Sequence, residues 1–357
     1  MVTRCLSLHA TYACRHAGVC CSAHWVVQAE PHVVAFVQRN GLEPSRPAGD
    51  GPFVMAQSTK ATQPQLAVAK DERGTCVFRE DRRCTLHVVG GESVLPIGCR
   101  HYPRLVRIGH DSVALTLSHY CPTAASLLLD ATPLAIVTAG PPLALAEPLD
   151  GLDTREALPP LLHPSMLTDD PGYAVWEHGV VAEFSRRASS RQALNRIASA
   201  TDSLRDWEPT DGALDVAVRD AFAAAEEETP RWLPSLLPLV QSLNRGAVVV
   251  SDGEGLNERW TQLQPPGGTV DRVISNYLAA RAFGNWIAYQ GRGLRTVVAW
   301  LHACYDLVRL LAVRAADERG SLVMVHDVVE AVRQADYVML HTIDSQAFAR
   351  ALTDIEA

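Results

Sequence analysis

Residues 75–129 read TCVFREDRRCTLHVVGGESVLPIGCRHYPRLVRIGHDSVALTLSHYCPTAASLLL, and this stretch holds four of the nine cysteines of the chain. Three more lie before it, in the segment YACRHAGVCCSAHW of residues 12–25. Cysteines gather in a sequence chiefly for disulfides, metal sites or iron–sulfur clusters. The candidate ligands are Cys14, Cys20, Cys21, Cys76, Cys84, Cys99 and Cys121.

The composition favours metal binding over disulfides. A chain of 357 residues can bury a large core and needs no disulfides for stability. No uninterrupted apolar stretch of the secretory type begins the chain, so we expect a cytoplasmic protein whose thiols stay reduced. The net charge of -8 argues against nucleic-acid and anionic-membrane partners, and no uninterrupted apolar run predicts a membrane span.

Proline content and helical periodicity divide the chain into three parts. Residues 1–130 hold the cysteines among short apolar pieces and predict an irregular, loop-rich cysteine-cluster domain that binds metal. Residues 131–160 are rich in proline and predict a linker. Residues 161–357 have the apolar spacing of helices; Leu294–Val313 predicts a buried central helix and Val323–Leu340 a further one. The predicted fold class is mixed, mainly α, with a loop-rich domain followed by a mostly helical domain.

The spacing of the cysteines bears on the kind of centre they form. Structural zinc sites usually take their ligands from short C-x2–4-C knuckles, and the chain has no CxxC. Its spacings are C-x5-CC and C-x7-C, then gaps of 14 and 21 residues, which suit ligands gathered from several loops. A [4Fe–4S] cluster also takes four cysteines, so either some of the seven are not ligands or two centres share them.

Two cysteines and one polar stripe stand apart from this block. Cys5 lies near the N-terminus and Cys304 on the predicted central helix, where a free cysteine behaves as a small hydrophobe, so neither is a candidate ligand. On the same helix His302, Asp306 and Arg309 share one face. That stripe either lines a cleft facing the cluster domain or forms a narrow solvent-exposed face with an internal ion pair.

The motifs of the cysteine block closely resemble those of the flagellin lysine-N-methylase family, itself related to the YkgJ-like family of cysteine-cluster proteins that chelate zinc or iron. The family pattern runs from a C-x-F…C segment to LP-x-x-CR-x-YPR and then to LS-x-x-CP. The matching stretches here are Cys76–Phe78 with Cys84, Leu95–Arg104 and Leu117–Pro122. The opening Tyr12–Trp25 is similar too, although Arg15–Val19 lacks a cysteine that the family usually has there.

The resemblance implies a cytoplasmic enzyme with an iron–sulfur cluster. It would transfer methyl groups from S-adenosylmethionine to lysine ε-amines of a protein substrate, possibly flagellin. The CRHYPR motif then supplies the cofactor-binding candidates Arg100, Tyr102 and Arg104, since arginine can grip a carboxylate or neutralise a thiolate cluster. The plain alternatives are a structural salt bridge for the arginines and packing for the tyrosine.

Two functional hypotheses therefore follow from the sequence. The first is a metal-cluster-dependent protein lysine N-methyltransferase, and the second is a non-catalytic zinc- or iron-chelating cysteine-cluster protein. The chain lacks the glycine-rich fingerprint of ordinary nucleotide-binding enzymes and the C-x3-C-x2-C signature of radical enzymes. No residue identifies itself as the catalytic base.

Overall fold

The computed structural model describes residues 1–23, 25–45, 51–56, 63–81, 83–139, 151–186, 189–229, 232–251 and 253–352. Within them 14 α-helices and eleven short strands form, and about 52% of the protein is helical. The expectation of a mixed, mainly α fold is therefore confirmed.

The helices concentrate in the second half of the chain. In chain order they are α1 (Pro31–Arg39), α2 (Thr85–Gly90), α3 (Ile97–His101), α4 (Pro122–Leu127), α5 (Asp170–Arg186), α6 (Ser190–Ser203), α7 (Leu214–Ala224), α8 (Leu237–Leu243), α9 (Leu256–Leu263), α10 (Thr269–Ala282), α11 (Ile287–Gln290), α12 (Leu294–Arg319), α13 (Val325–Tyr337) and α14 (Ser345–Ala351). The strands are β1 (Val2–Leu6), β2 (Phe53–Ala56), β3 (Gln65–Val68), β4 (Arg79–Glu80), β5 (Arg83–Cys84), β6 (Arg104–Ile108), β7 (Ser112–Leu117), β8 (Ile136–Thr138), β9 (Leu152–Asp153), β10 (Leu161–His163) and β11 (Met166–Leu167).

The N-terminal part contains a five-stranded sheet with the strand order β8-β1-β7-β6-β9. The β6 and β7 strands pair as an antiparallel hairpin, and β1 runs parallel to β7. Five of the six residues of β7 are buried, because the sheet is covered on both faces there. The sequence analysis missed this sheet, since its strands are short and a strand buried on both faces shows no polar alternation.

Residues 131–160, which the prolines predict as a linker, contribute two edge strands to this sheet. The β8 strand pairs with β1, and β9 pairs with β6. Residues 140–150 lie outside the described part of the chain. The division into a cysteine-cluster domain, a linker and a helical domain stays a prediction.

The α12 helix forms the centre of the largest apolar cluster, as the sequence predicts. It packs against α13, α6, α10 and α9, and Leu301, Leu307 and Val308 are fully buried on it. The helix is long and apolar enough to cross a membrane, yet 94% of its most apolar window is buried inside the protein. Burial of that kind is typical of a core helix.

The polar stripe on α12 faces the neighbouring helix α9. The Arg309 side chain is 1% exposed and donates a hydrogen bond to Asn257 Oδ1 at 2.7 Å. Its guanidinium lies over the rings of Trp260 and Tyr305, while Asp306 stands 3.8 Å away. The stripe thus lies mostly buried between helices instead of lining a cleft or forming an exposed face, while the expected internal ion pair is present between Asp306 and Arg309.

One buried ion pair joins the sheet to the helices. An Arg107 guanidinium nitrogen on β6 lies 3.0 Å from Glu177 Oε1 on α5, and both side chains are at least nine-tenths buried. The same oxygen accepts the backbone N–H of Gly284 at 2.9 Å, and Arg107 also donates to Tyr289 Oη at 3.0 Å. The Glu177 carboxylate therefore holds three chain segments together.

We expect Glu177→Ala to lower the free energy of unfolding by about 3–5 kcal/mol, because it leaves a buried arginine without its counter-ion. The matched control is Asp215→Ala, which removes the more exposed i,i+4 pair between Asp215 and Arg219 and is expected to cost less than about 1 kcal/mol. Urea unfolding of the two variants measures the difference. Equal losses would contradict the assigned role of the buried pair.

Candidate metal centre

The seven candidate ligands lie on loops, in or just before short helices, and in one two-residue strand. Cys20 and Cys21 occupy a 3-10 turn that begins after Gly18, whose φ of 74° belongs to the left-handed region that glycine favours. Cys84 and Cys121 immediately precede α2 and α4, and Cys99 lies within the short α3. None of the nine cysteines forms a disulfide, so all seven thiols are free.

Five of these thiols, which we call the thiol group, come together around the Cys20–Cys21 turn. They are Cys20, Cys21, Cys76, Cys84 and Cys99. The sulfur atoms of Cys20 and Cys21 are 3.9 Å apart, and the backbone N–H of Cys76 donates to the Cys21 carbonyl at 2.6 Å. Cys76, Cys84 and Cys99 pack on one apolar cluster built around Val33 and Phe78.

The electrostatics of the thiol group reflect this proximity. Burial raises the pKa of Cys99 well above its ordinary value, and the negative charges of Cys20, Cys76 and Cys84 raise it further. A hydrogen bond with Cys21 instead lowers the pKa of Cys20 to about 7. Cys20 is thus the most acidic thiol of the group, and its neighbours ionise more readily only if a cation compensates their charge.

Cys14 and Cys121 flank the thiol group on another side. The Cys121 sulfur lies 3.9 Å from Tyr12 Oη. Burial raises the pKa of Cys14, and the charges of Cys20 and Cys121 act in the same direction. Cys14 therefore interacts electrostatically with Cys20 of the thiol group and with Cys121, although Cys14 itself is exposed.

Lys70 is a functional candidate that the sequence analysis missed. Its ammonium donates to the carbonyls of Ala23 and Trp25, and Lys70 forms a β-bridge with Cys76. Burial lowers its pKa, whereas the nearby charges of Cys76, Cys99 and Cys21 raise it. Only two of the 32 lysine and arginine residues are lysines. That scarcity is the one feature of the sequence that could have drawn attention to Lys70.

The three candidates of the CRHYPR motif lie beside the thiols. The Tyr102 ring packs against Trp25 with 5.2 Å between centroids, and its buried Oη has no hydrogen-bond partner. Burial raises the pKa of Tyr102, and the charges of Cys121 and Cys20 raise it further. Arg104 donates to the Arg100 carbonyl at 3.3 Å, and the buried Arg100 Nε has no partner.

At the end of β7 a buried polar network joins this region to the helices. His119 donates its backbone N–H to the Asp336 carboxylate, and its Nε2 lies 3.2 Å from Nε2 of His9. Arg281 Nε lies 3.5 Å from Asp336 Oδ1, and the same guanidinium donates to the Leu117 carbonyl at 2.5 Å. Burial lowers the pKa of His9 to about 3, and it lowers that of His119 well below the ordinary range. Both imidazoles are therefore neutral.

The thiols are the donors that a sulfur-bound metal centre requires. Their described positions, however, do not surround an ion. Throughout the described ranges, no three His, Cys, Asp or Glu side chains are grouped so as to hold a metal ion. The 3.9 Å between the sulfurs of Cys20 and Cys21 matches the separation of about 3.8 Å expected for two thiolates on one tetrahedral zinc. Soft thiolates bind zinc, copper(I) or iron–sulfur clusters. The donors fit such a centre in their chemistry, and Cys20 and Cys21 fit it in their separation, while the described positions of the other thiols do not enclose an ion.

Comparison with known proteins returns no relative. No family model matches the chain, and neither the curated proteins nor the solved structures contain a match to it. The function of the protein therefore has to be inferred from its own residues and their geometry.

We expect Cys21→Ala and Cys76→Ala to lose most of the bound metal, because each removes a thiol from the centre of the group. The matched controls are Cys5→Ala and Cys304→Ala, whose thiols are buried in β1 and α12. Metal content per folded chain, measured after anaerobic purification, separates the two pairs. Full metal content in both Cys21→Ala and Cys76→Ala would exclude the thiol group as the binding site.

We expect Lys70→Met to lower the free energy of unfolding by about 1–3 kcal/mol, because two half-buried carbonyls lose their donor. Metal affinity should fall as well, since the thiolates lose a neighbouring positive charge. Lys70→Arg keeps the charge and should restore part of the affinity. Urea unfolding and competition with a metal chelator measure the two effects. Unchanged affinity in Lys70→Met would refute the electrostatic role.

Proposed function

We propose that this protein is an iron–sulfur-cluster-dependent lysine N-methyltransferase. Its substrates would be S-adenosylmethionine and an exposed lysine of a protein. The observation that carries the proposal is the proximity of Cys20, Cys21, Cys76, Cys84 and Cys99, which come from segments far apart in the chain. Five neighbouring thiols exceed the four that a single zinc ion takes.

Arg100 and Tyr102 are the residues that would bind the polar groups of S-adenosylmethionine and of the substrate amine. An iron atom with an open coordination position can hold the amino and carboxylate groups of S-adenosylmethionine, which is the chemistry that the cluster would contribute. Arg100 offers a buried, unpartnered Nε close to the Cys99 loop, suited to a carboxylate oxygen. The raised pKa of Tyr102 keeps its hydroxyl protonated, so that it can hydrogen-bond an amine without adding negative charge.

The reaction itself constrains the lysine. The ε-amine must be neutral, so that its lone pair can form the N–C bond while the C–S bond of the sulfonium breaks. The products are methyl-lysine and S-adenosylhomocysteine. Loss of the ammonium proton to solvent precedes the attack and is favoured where the amine is desolvated.

A non-catalytic zinc protein is the second candidate. The close pair Cys20–Cys21 has the spacing of two ligands on one zinc ion. Metal binding would then serve folding, since loops whose ligands are spread along the sequence gain order from the ion. Such a protein would bind S-adenosylmethionine no better with its metal than without it.

Anaerobic purification of the full chain, followed by metal, sulfide and S-adenosylmethionine-binding measurements, tests the proposal. We expect about four irons and four sulfides per chain with a broad visible absorption band. S-adenosylmethionine binding should disappear in Cys76→Ala and persist in Cys304→Ala. Stoichiometric zinc without sulfide, with no metal-dependent binding of S-adenosylmethionine, would overturn the methyltransferase and favour the second candidate.

A further inference from the structure

A patch of five aromatic rings adjoins the thiols at the contact between the N-terminal part and the helices. Its members, which we call the aromatic patch, are Trp25, Tyr102, Tyr120, Tyr337 and His341. The Trp25 ring lies 5.2 Å from Tyr102, 6.1 Å from Tyr120 and 4.7 Å from His341, measured between centroids. Tyr120 precedes Cys121 in the chain, and Cys20 of the thiol group and Cys121 both lie close enough to Tyr102 to act on it electrostatically.

The backbone under the patch is unusual. After Tyr337 the helix α13 continues as a single π-helical turn, Val338–Thr342, which brings His341 onto Trp25. Such turns are rare and are frequent at functional sites. The patch is also open to solvent, since His341 is exposed and Trp25, Tyr102 and Tyr120 are partly exposed.

We propose that the aromatic patch binds the alkylammonium side chain of the substrate lysine. This inference rests on the proposed function, because it names the place where the acceptor side chain reaches the metal centre. The stem of a lysine packs along apolar rings, and its cationic end is attracted to the negative face of tryptophan or tyrosine. One face of Tyr120 already carries the Arg333 guanidinium, 5.9 Å from the ring centroid. The lysine would therefore pack on the exposed part of Trp25, whose ring also lies against Tyr102 and His341.

Charged groups of both signs lie near the patch: Arg333 is over Tyr120, and Asp336, which is paired with Arg281, acts on Tyr102 together with two cysteines. The thiols of Cys20 and Cys121 lie close enough for their charge to raise the pKa of Tyr102. The carboxylate of Asp336 acts on Tyr102 in the same sense. A sulfonium shares the cationic chemistry of an ammonium, so the experiment has to separate the lysine from S-adenosylmethionine.

The probes are Nα-acetyl-Nε-trimethyllysine methylamide and its neutral isostere, with a quaternary carbon in place of the quaternary nitrogen. Calorimetric titration uses the full chain, purified anaerobically. We expect the cationic probe to bind at least about fivefold more tightly than the neutral one, as cation–π contacts require. Equal affinity for both probes would overturn the inference.

The variants Trp25→Leu and His341→Ala locate the binding. We expect Trp25→Leu to abolish the preference for the cation and His341→Ala to reduce it. Matched controls are Trp207→Leu, outside the patch, and His326→Ala, exposed on α13. Since His341 is exposed, its variant is expected to fold even if Trp25→Leu does not. An undiminished cation preference in folded His341→Ala and Trp25→Leu would refute the assignment.

The two proposals fail in different ways. If the cluster or methyl transfer is absent while the cation preference and its loss in Trp25→Leu are present, the proposed function fails and the binding site stands. If iron, sulfide and S-adenosylmethionine binding are normal but the cation preference is missing, the site assignment fails alone. Loss of S-adenosylmethionine binding in Trp25→Leu, with probe binding kept, would assign the patch to the sulfonium and overturn the lysine site.

Discussion

The fully buried carboxylate of Asp336 holds the cysteine-bearing part of the chain against the helices. It accepts the backbone N–H of His119 and faces Arg281, which in turn binds the carbonyl of Leu117. Two buried charges are expensive to desolvate, and removing one partner leaves the other uncompensated. The end of β7, and with it the start of the Cys121 loop, is therefore tied to α10 and α13.

This contact also sets the surroundings of the proposed centre. Tyr337 directly follows Asp336 and ends α13, just before the π-helical turn that carries His341 to Trp25. The helices thus contribute rings to a surface whose other rings belong to the cysteine-bearing loops. The buried network brings Tyr337 and His341 of the helical part against rings that already lie beside the thiols.

Much of the helical core could be predicted from the sequence, whereas the sheet could not. The apolar run Leu294–Val313 became α12, because a helix apolar on every side has to be buried. The helix predicted over Val323–Leu340 changes to a π-helical turn at Val338, which no periodicity indicates. The strands of the sheet are too short, and β7 too thoroughly buried, to show a period of two.

The sequence by itself determined the chemistry of the candidate site. The number and spacing of the cysteines are properties of the sequence, and they favour a centre built from several loops rather than from CxxC knuckles. Only the tertiary structure decided which thiols are neighbours, that Lys70 stands beside them, and that the aromatic patch borders them. The physical reason is that these contacts join residues far apart in the chain. Their proximity depends on loop paths and on a buried ion pair, neither of which leaves a periodic pattern in the sequence.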